Sequence, residues 1–273
     1  MNDTFTKMHG LGNDFLVMAG TAEQLPTPSR VRALADRRTG VGFDQLMFIL
    51  PAPDNAHQAA YRIFNADGSE AGQCGNGARC VARWISERDG LDELRLASPG
   101  GTVAARRTAP DRIEIDMGIP DFEPAALPFH EPRRQAHYYR ELAGRKIGFG
   151  AVSMGNPHAV LTVTDVEAAP VGILGPALEH HPDFPERVNV GFMQIIDTGR
   201  LRLRVHERGV GETRACGTGA CAAVAIGRIR GLLGPSVTVE LPGGELDIRW
   251  PGAGAHLWMG GEAIRVYEGR LSI

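Results

Sequence analysis

The chain has 273 residues, of which 43% are hydrophobic and 22% charged, a composition typical of globular rather than disordered proteins. Its formal net charge of −3 predicts neither a nucleic-acid-binding surface nor attraction to an anionic membrane. No apolar run approaches the roughly 20 residues of a membrane helix, and the first ten residues do not resemble a secretory signal. We therefore expect a cytoplasmic protein with reduced thiols at its four cysteines.

Short strands and a few helices alternate along the chain. The first half predicts helices near 29–38 and over 78–88, with strands at 15–19, 45–50, 61–64, 94–97, 102–107 and 113–117. The second half predicts helices near 173–180 and over 219–230, strands at 159–163, 188–195 and 200–206, and three later strands. Ser29 is the expected N-cap of the first helix, and the four prolines of 120–132 predict an inter-domain linker. No G-x-G-x-x-G follows a strand, so the order of elements favours an α+β fold over a Rossmann fold.

An internal duplication is the most informative feature of the sequence. The pattern E-x-x-x-C-G-x-G-A occurs around Cys74 and again around Cys216, 142 positions later. Two further pairs share nearly the same offset, Gly12-Asn13 with Gly155-Asn156 and Met117-Gly118 with Met259-Gly260. We infer two similar, pseudo-symmetric domains, each a strand-rich unit around one prominent helix, with the active site in the cleft between them. The predicted domains are 1–118, together with a C-terminal strand at about 263–273, and 119–262.

Each Cys-Gly loop immediately precedes a predicted helix, and this position favours chemistry. The N–H groups and the dipole of a helix start stabilise a thiolate, so we expect lowered pKa values at Cys74 and Cys216. The same N–H groups bind a carboxylate, and glycines allow the backbone to approach a ligand closely. Two such thiols facing each other suit the inversion of a stereocentre, in which one thiolate removes a proton and the opposite thiol supplies one.

Several long strings carry a family resemblance over essentially the whole chain. They are His9-Gly-Leu-Gly-Asn13-Asp14-Phe15, Gly42-Phe-Asp-Gln45, the string from Asn65 to Cys80, Gly155-Asn156-Pro-His158, Asn189, and the string from Glu207 to Ala220. In this order they resemble the diaminopimelate epimerase family. That family interconverts LL- and meso-2,6-diaminopimelate, on the route to lysine and peptidoglycan precursors, without pyridoxal phosphate.

The resemblance implies a role for each matching residue. Cys74 and Cys216 would be the acid–base pair, with His158 and Glu207 beside the reacting centre. Gly75, Asn76, Gly217 and Thr218 would hold the reacting carboxylate. The rest of the substrate would be lined by Asn13, Gln45, Asn65, Asn156, Asn189, Glu207 and Arg208. The resemblance further implies a homodimer, no cofactor or metal, and a C-terminal strand that returns to the first domain.

Other interpretations remain open for several residues. Cys80 and Cys221 lie inside the predicted helices and are expected to be buried structural thiols. Zinc is disfavoured because Cys216 and Cys221, although suitably spaced, point to different faces of a helix. A redox dithiol is a second alternative, and Asn13 and Asn156 are also suited to left-handed turns. The alternative functions are a proline or hydroxyproline racemase, which needs the same two thiols, and a non-catalytic binding protein for an amino acid or peptide.

Overall fold

The structure is a computed structural model, which describes residues 4–72 and 74–272. The chain forms two compact units. One combines the chain up to Asp116 with the chain from Gly260 onward, and the other is Met117–Met259. Among the described residues, no helix is both long enough and apolar enough to cross a membrane.

Strands dominate both units. The part of the chain up to Asp116 contains helices α1 (Pro28–Ala35) and α2 (Gly75–Asp89), a 3₁₀ turn (Ala22–Gln24), and strands β1 (Thr4–Gly10), β2 (Asn13–Ala19), β3 (Gln45–Leu50), β4 (Ala59–Asn65), β5 (Glu93–Ser98), β6 (Gly101–Ala109) and β7 (Arg112–Asp116). The second unit contains helices α3 (Val171–Glu179) and α4 (Gly217–Ile229), a 3₁₀ turn (Pro124–Ala126), and strands β8 (Tyr138–Leu142), β9 (Arg145–Ser153), β10 (Pro157–Thr162), β11 (Asn189–Asp197), β12 (Arg200–Glu207), β13 (Gly211–Thr213), β14 (Ser236–Leu241) and β15 (Gly244–Arg249). The chain then continues through β16 (Trp258–Glu262) and ends with β17 (Ile264–Arg270).

The strand pairing repeats from one unit to the other. In the first, β1 pairs antiparallel with β2, β2 parallel with β3, β3 antiparallel with β4, β4 parallel with β5, and β5 antiparallel with β6. In the second, the same alternation joins β9 to β10, β10 to β11, β11 to β12, β12 to β14, and β14 to β15. Helices α1 and α3 occupy equivalent crossovers, and α2 and α4 do likewise. The predicted α+β fold built from two copies of one unit is confirmed by this repetition.

Each unit has an apolar core of its own. In the first, Val31 of α1 packs in a cluster with Leu16, Leu46 and Phe64. In the second, the cluster contains Phe129, Phe149, Phe184 and Phe192. The last strand, β17, pairs antiparallel with β1 in the first unit.

The segment 120–132 is not a linker, contrary to the prediction from its prolines. Phe122 stacks on Trp250 with ring centroids 6.1 Å apart, and Phe129 stacks on Phe184 at 4.3 Å. Both phenylalanines are buried. The prolines shape a segment that packs within the second unit, because its aromatic side chains gain more from burial than an exposed linker would allow.

The first helix also differs from its prediction. Thr27 is the N-cap, and its Oγ1 accepts a hydrogen bond from the Arg30 N–H at 3.3 Å. Pro28 occupies the first helical position, where a missing N–H costs nothing, so Ser29 lies inside the helix. The helix ends at Ala35 rather than near 38, because the Asp36 carboxylate accepts two later backbone N–H groups and turns the chain.

Candidate active site

The strand order collects the candidate residues of the first unit at one edge. Parallel strands β2 and β3 start at that edge, with Asn13 and Gln45 as their first residues. Antiparallel β4 ends there, with Asn65 opposite Gln45. The chain then leads to Cys74, which is the N-cap residue of α2. Residues far apart in sequence thus converge because of strand direction alone.

Cys74 accepts a hydrogen bond from the helix it precedes. The Gly77 N–H donates to its Sγ at 3.3 Å, and the Oδ1 of Asn13 lies 4.0 Å from the same sulfur. A neighbouring pair is formed by Gln45 and Asn65, whose Nε2 and Oδ1 are 2.9 Å apart. The contact satisfies one of the N–H groups that a helix start leaves without a backbone partner.

A network of charges orients the Asn13 amide. Asn13 Nδ2 donates to Asp44 Oδ2 at 2.9 Å, which leaves Oδ1 as the atom nearest to Cys74. Asp44 Oδ1 in turn accepts from Arg37 Nη2 at 2.8 Å, and Arg37 also binds the Asp14 carboxylate. The Asp14 pKa lies well below its usual value because the hydrogen bonds and charges of Arg37 and Lys7 outweigh its partial burial.

The side chain of Asn76 is turned into the protein rather than held for a ligand. Its Oδ1 accepts from Nη2 of the fully buried Arg79 at 2.8 Å. Asn76 itself is only 7% exposed. The backbone N–H of Asn76 lies at the start of α2, where the unsatisfied N–H groups of a helix lie.

In the second unit, four candidate residues form a chain of contacts that ends at Cys216. His158 Nε2 lies 3.0 Å from Asn156 Oδ1, Asn156 Nδ2 donates to Thr218 Oγ1 at 3.4 Å, and Thr218 Oγ1 lies 3.7 Å from Cys216 Sγ. Cys216 is the N-cap residue of α4, equivalent to Cys74 before α2. These contacts hold the Thr218 hydroxyl and the Asn156 amide in place near the Cys216 thiol.

The pKa of Cys216 is higher than expected from its position before a helix. Burial and the nearby Glu207 carboxylate raise the pKa of this thiol to about 12, although contacts with Thr218 and Gly219 act in the opposite direction. The predicted lowering of the pKa is therefore wrong for Cys216, because the thiol is 4% exposed and its desolvation outweighs the stabilisation of a thiolate by the helix start. Cys216 carries its proton at neutral pH.

His158 is a neutral imidazole in this site. It is 1% exposed. Burial and the positive charge of Arg208 lower its pKa to about 3. Because its Nε2 faces an amide oxygen, that nitrogen carries the proton and donates to Asn156.

Glu207 and Arg208 lie on the 207–211 turn between β12 and β13. The Glu207 carboxylate accepts a hydrogen bond from the Thr213 hydroxyl. The Arg208 guanidinium donates to the Glu186 carbonyl at 2.9 Å. Asn189, which is expected to contact substrate, also supports this turn: its Oδ1 accepts from the Arg208 N–H at 3.0 Å and its Nδ2 donates to the Pro157 carbonyl at 2.9 Å. One proton of its amide remains for a ligand.

The alternative of turn residues does not apply to Asn13 or Asn156. The left-handed conformations of these two loops belong to Leu11, Gly12 and Gly155, with φ of 57°, 79° and 87°. Both asparagines are thus available for side-chain contacts.

Cys80 and Cys221 are fully buried, as predicted, and all four cysteines are free thiols. In the described part of the chain, 4–72 and 74–272, no group of three or more acidic, cysteine or histidine side chains could hold a metal.

Two residues of this site were not assigned a role from the sequence. Asp44 orients Asn13, and Thr213 holds Glu207. Both lie inside the strings that carry the family resemblance, which was the available signal. Their roles depend on neighbours 31 and 6 residues away, which only the folded chain brings into contact.

Comparison with known proteins places the chain in a family. The family model described as diaminopimelate epimerase matches residues 5–123 and 150–266. A protein of Alkalilimnicola ehrlichii named diaminopimelate epimerase is 50% identical over 278 residues, covering 100% of both chains. The chain belongs to the diaminopimelate epimerase family. Diaminopimelate epimerases are isomerases of the racemase and epimerase class, and a two-cysteine mechanism is standard for the family.

Solved structures support the same fold at lower sequence identity. A probable proline racemase of Agrobacterium radiobacter, with bound carbonate, is 18% identical with a TM-score of 0.67, covering 99% of this chain and 93% of that one. A hydroxyproline epimerase of Agrobacterium vitis, with bound trans-4-hydroxy-L-proline, is 20% identical with a TM-score of 0.66, covering 98% and 92%. At these identities the likeness concerns the fold that diaminopimelate epimerases share with such proteins.

Proposed function

We propose that this protein interconverts LL- and meso-2,6-diaminopimelate, in lysine and peptidoglycan precursor synthesis, without pyridoxal phosphate or a metal. The observation that carries the proposal is the equivalence of Cys74 and Cys216, each the N-cap of the second helix in one copy of the unit. The full-length relative of 50% identity supports the choice of substrate.

The reaction inverts one α-carbon between the two thiols. A thiolate at Cys74 takes the α-proton from one face, and the electron pair left on carbon is stabilised through the substrate carboxylate. The Cys216 thiol gives its proton to the opposite face, so that Cys74 ends as a thiol and Cys216 as a thiolate. The reverse reaction exchanges these roles. This arrangement requires the two cysteines to face each other across a cleft, which we propose together with the mechanism.

The starts of α2 and α4 supply the stabilisation. The backbone N–H groups of Gly75 and Asn76, with those of Gly217 and Thr218, bind the reacting carboxylate and take up the charge that develops on it. The raised pKa of Cys216 supports its role as the resting acid. A substrate ammonium beside Glu207 offsets the carboxylate charge, which lowers the pKa of Cys216 and allows it to act as a base in reverse.

The remaining candidates recognise the substrate away from the reacting carbon. Diaminopimelate has two zwitterionic ends, so Arg208 is assigned to the distal carboxylate and Glu207 to an ammonium group. The amides of Asn13, Gln45, Asn65, Asn156 and Asn189 orient the chain between them. Neutral His158 holds Asn156 and contributes no charge.

The cellular context belongs to the same proposal. We expect a cytoplasmic homodimer of two-domain chains, with domains 1–118 plus about 263–273 and 119–262. A sedimentation mass near twice the 29.3 kDa of one chain supports the dimer, and a mass of one chain excludes it.

Proton NMR of LL-diaminopimelate in D₂O with the purified, reduced protein tests the proposal. Loss of the α-proton signal with formation of the meso isomer is expected without added cofactor. Cys74→Ala and Cys216→Ala should each abolish net epimerisation, and Cys80→Ala is the matched control because that thiol is buried inside α2. Exchange of the α-proton of proline but not of diaminopimelate would support the two-thiol mechanism and assign a different substrate. No exchange with either compound, in protein with free thiols, would exclude an epimerase and favour a binding protein.

A further inference from the structure

A buried carboxylate at the end of α3 is not explained by the catalytic residues. Glu179 is the last residue of α3 and only 3% exposed. A negative charge at a helix C-terminus is unfavourable, because the dipole places its negative end there. Burying a carboxylate is also costly unless several donors surround it. Both energetic costs indicate that the Glu179 carboxylate has a role at this position that an apolar side chain could not fill.

The donors of Glu179 come from the strand and turn that carry two candidate substrate ligands. His206 Nε2 lies 2.8 Å from Glu179 Oε2, and the Gly209 N–H donates to Oε1 at 2.8 Å. Two further side-chain nitrogens are more distant, with Arg187 Nη1 and His180 Nδ1 each at 3.8 Å. These donors lower the pKa of Glu179 against the effect of burial, so the carboxylate is charged at neutral pH.

Close packing fixes the same contact from the other side. A Cβ on Gly175 of α3 would lie 2.7 Å from His206 Cγ, so only glycine lets the helix approach this imidazole. The His206 ring is thus held between the α3 backbone and the Glu179 carboxylate. A side chain held in this way transmits the position of α3 to β12.

The two residues between these anchors are Glu207 and Arg208. His206 precedes them and Gly209 follows them, so Glu179 binds the chain on both sides of the pair. The turn has further contacts: the Arg208 N–H donates to Asn189 Oδ1 at 3.0 Å, and the Val210 N–H donates to the Glu207 carbonyl at 3.1 Å. The middle of the turn is not packed against the protein, because Gly209 and Gly211 have φ of 75° and 98° and Val210 is 75% exposed.

We propose that Glu179 is a positioning residue that holds the 207–211 turn so that Arg208 and Glu207 meet the charged groups of the substrate. This rests on the proposed function, since it takes Arg208 as the ligand of the distal carboxylate. Loss of Glu179 should weaken substrate binding more than it slows proton transfer, because the thiols and helix starts keep their own contacts.

The test compares Glu179→Met, which keeps the side-chain volume but removes both acceptors, with Glu179→Gln, which keeps an acceptor for Gly209. We expect KM for LL-diaminopimelate to rise at least tenfold in Glu179→Met and about threefold in Glu179→Gln, with kcat changed less than threefold. Glu141→Gln, an exposed carboxylate on β8, removes the same charge and should leave KM unchanged. If Glu179→Met does not fold, Glu179→Gln decides, and a KM within 1.5-fold of wild type overturns the proposal.

A double-mutant cycle separates positioning from general loss of structure. In an Arg208→Ala background, Glu179→Met should raise KM by a smaller factor than it does in the wild type, because only Glu207 of the two positioned side chains remains. If the double mutant raises KM by the product of the two single-mutant factors, the proposal is overturned. Hydrogen exchange of the 207–211 turn gives a readout that needs no activity: the Gly209 amide should exchange at least tenfold faster in Glu179→Met. If the wild type does not epimerise diaminopimelate, the proposed function fails, while an unchanged exchange rate at Gly209 refutes the role of Glu179 itself.

Discussion

The proton on Cys216 makes the stability of the protein depend on alkaline pH, and the size of the effect follows from the site. The thiol pKa is about 12 in the folded chain against an ordinary value of 9.0, because burial and Glu207 disfavour the thiolate. The folded state therefore retains a proton that the unfolded state releases above pH 9. The stability contributed by this thiol is complete below pH 9 and is lost as the pH rises from 9 to 12.

At pH 10 the loss can be calculated from the two pKa values. An unfolded thiol of pKa 9.0 is about ten-elevenths ionised, whereas the folded thiol is almost fully protonated. The resulting loss of unfolding free energy is about 1–2 kcal/mol relative to neutral pH, and it grows as the pH rises further toward 12.

Urea unfolding at pH 8 and pH 10 measures this loss against Cys216→Ala, which has no ionising group there. Tryptophan fluorescence follows the unfolding, and one of the three tryptophans, Trp250, is fully buried in the same unit as Cys216. We expect the stability difference between wild type and Cys216→Ala to fall by about 1–2 kcal/mol between the two pH values. Val224→Ala is the matched control, a buried truncation in α4 whose cost should not change with pH. Parallel loss of stability in wild type and Cys216→Ala would refute the reasoning.

Two further predictions concern the surroundings of the thiols. Asp44→Ala should lower kcat/KM about tenfold, since it removes one charge-assisted hydrogen bond of about 1.5 kcal/mol that orients Asn13. Asp44→Asn should retain most activity. Steady-state rates equal to wild type in Asp44→Ala would contradict the role of the network. Gly219→Ala would place a Cβ 3.2 Å from Cys216 Sγ, so it should lower kcat at least tenfold and stability by about 1–3 kcal/mol. Gly172→Ala is the control: its Cβ would meet nothing within 4 Å, and it should change neither the rate nor the melting temperature. Equal effects of the two alanines would exclude steric displacement of the thiol.

Much of the site could be predicted from the sequence because the internal duplication repeats both the sequence motif and the local structure around each cysteine. Cys74 and Cys216 each follow a strand and begin a helix, and those local properties depend on nearby residues only. Glycine, which is compatible with tight turns, and asparagine at the starts of strands are equally visible in the order of residues. The alternation of parallel and antiparallel strands then follows from the same elements repeated in the same order.

Tertiary structure decided the properties that depend on distant neighbours. Cys216 occupies the same kind of helix start as Cys74, but its pKa depends on burial and on Glu207, nine residues away in sequence. Asn189 was predicted to contact substrate, yet most of its amide supports the backbone beside Arg208. Glu179 gave no signal at all, because its partners lie 27 and 30 residues along the chain. A sequence specifies which groups are present and how each begins its helix or strand, but desolvation and long-range hydrogen bonds are set only when the strands have paired.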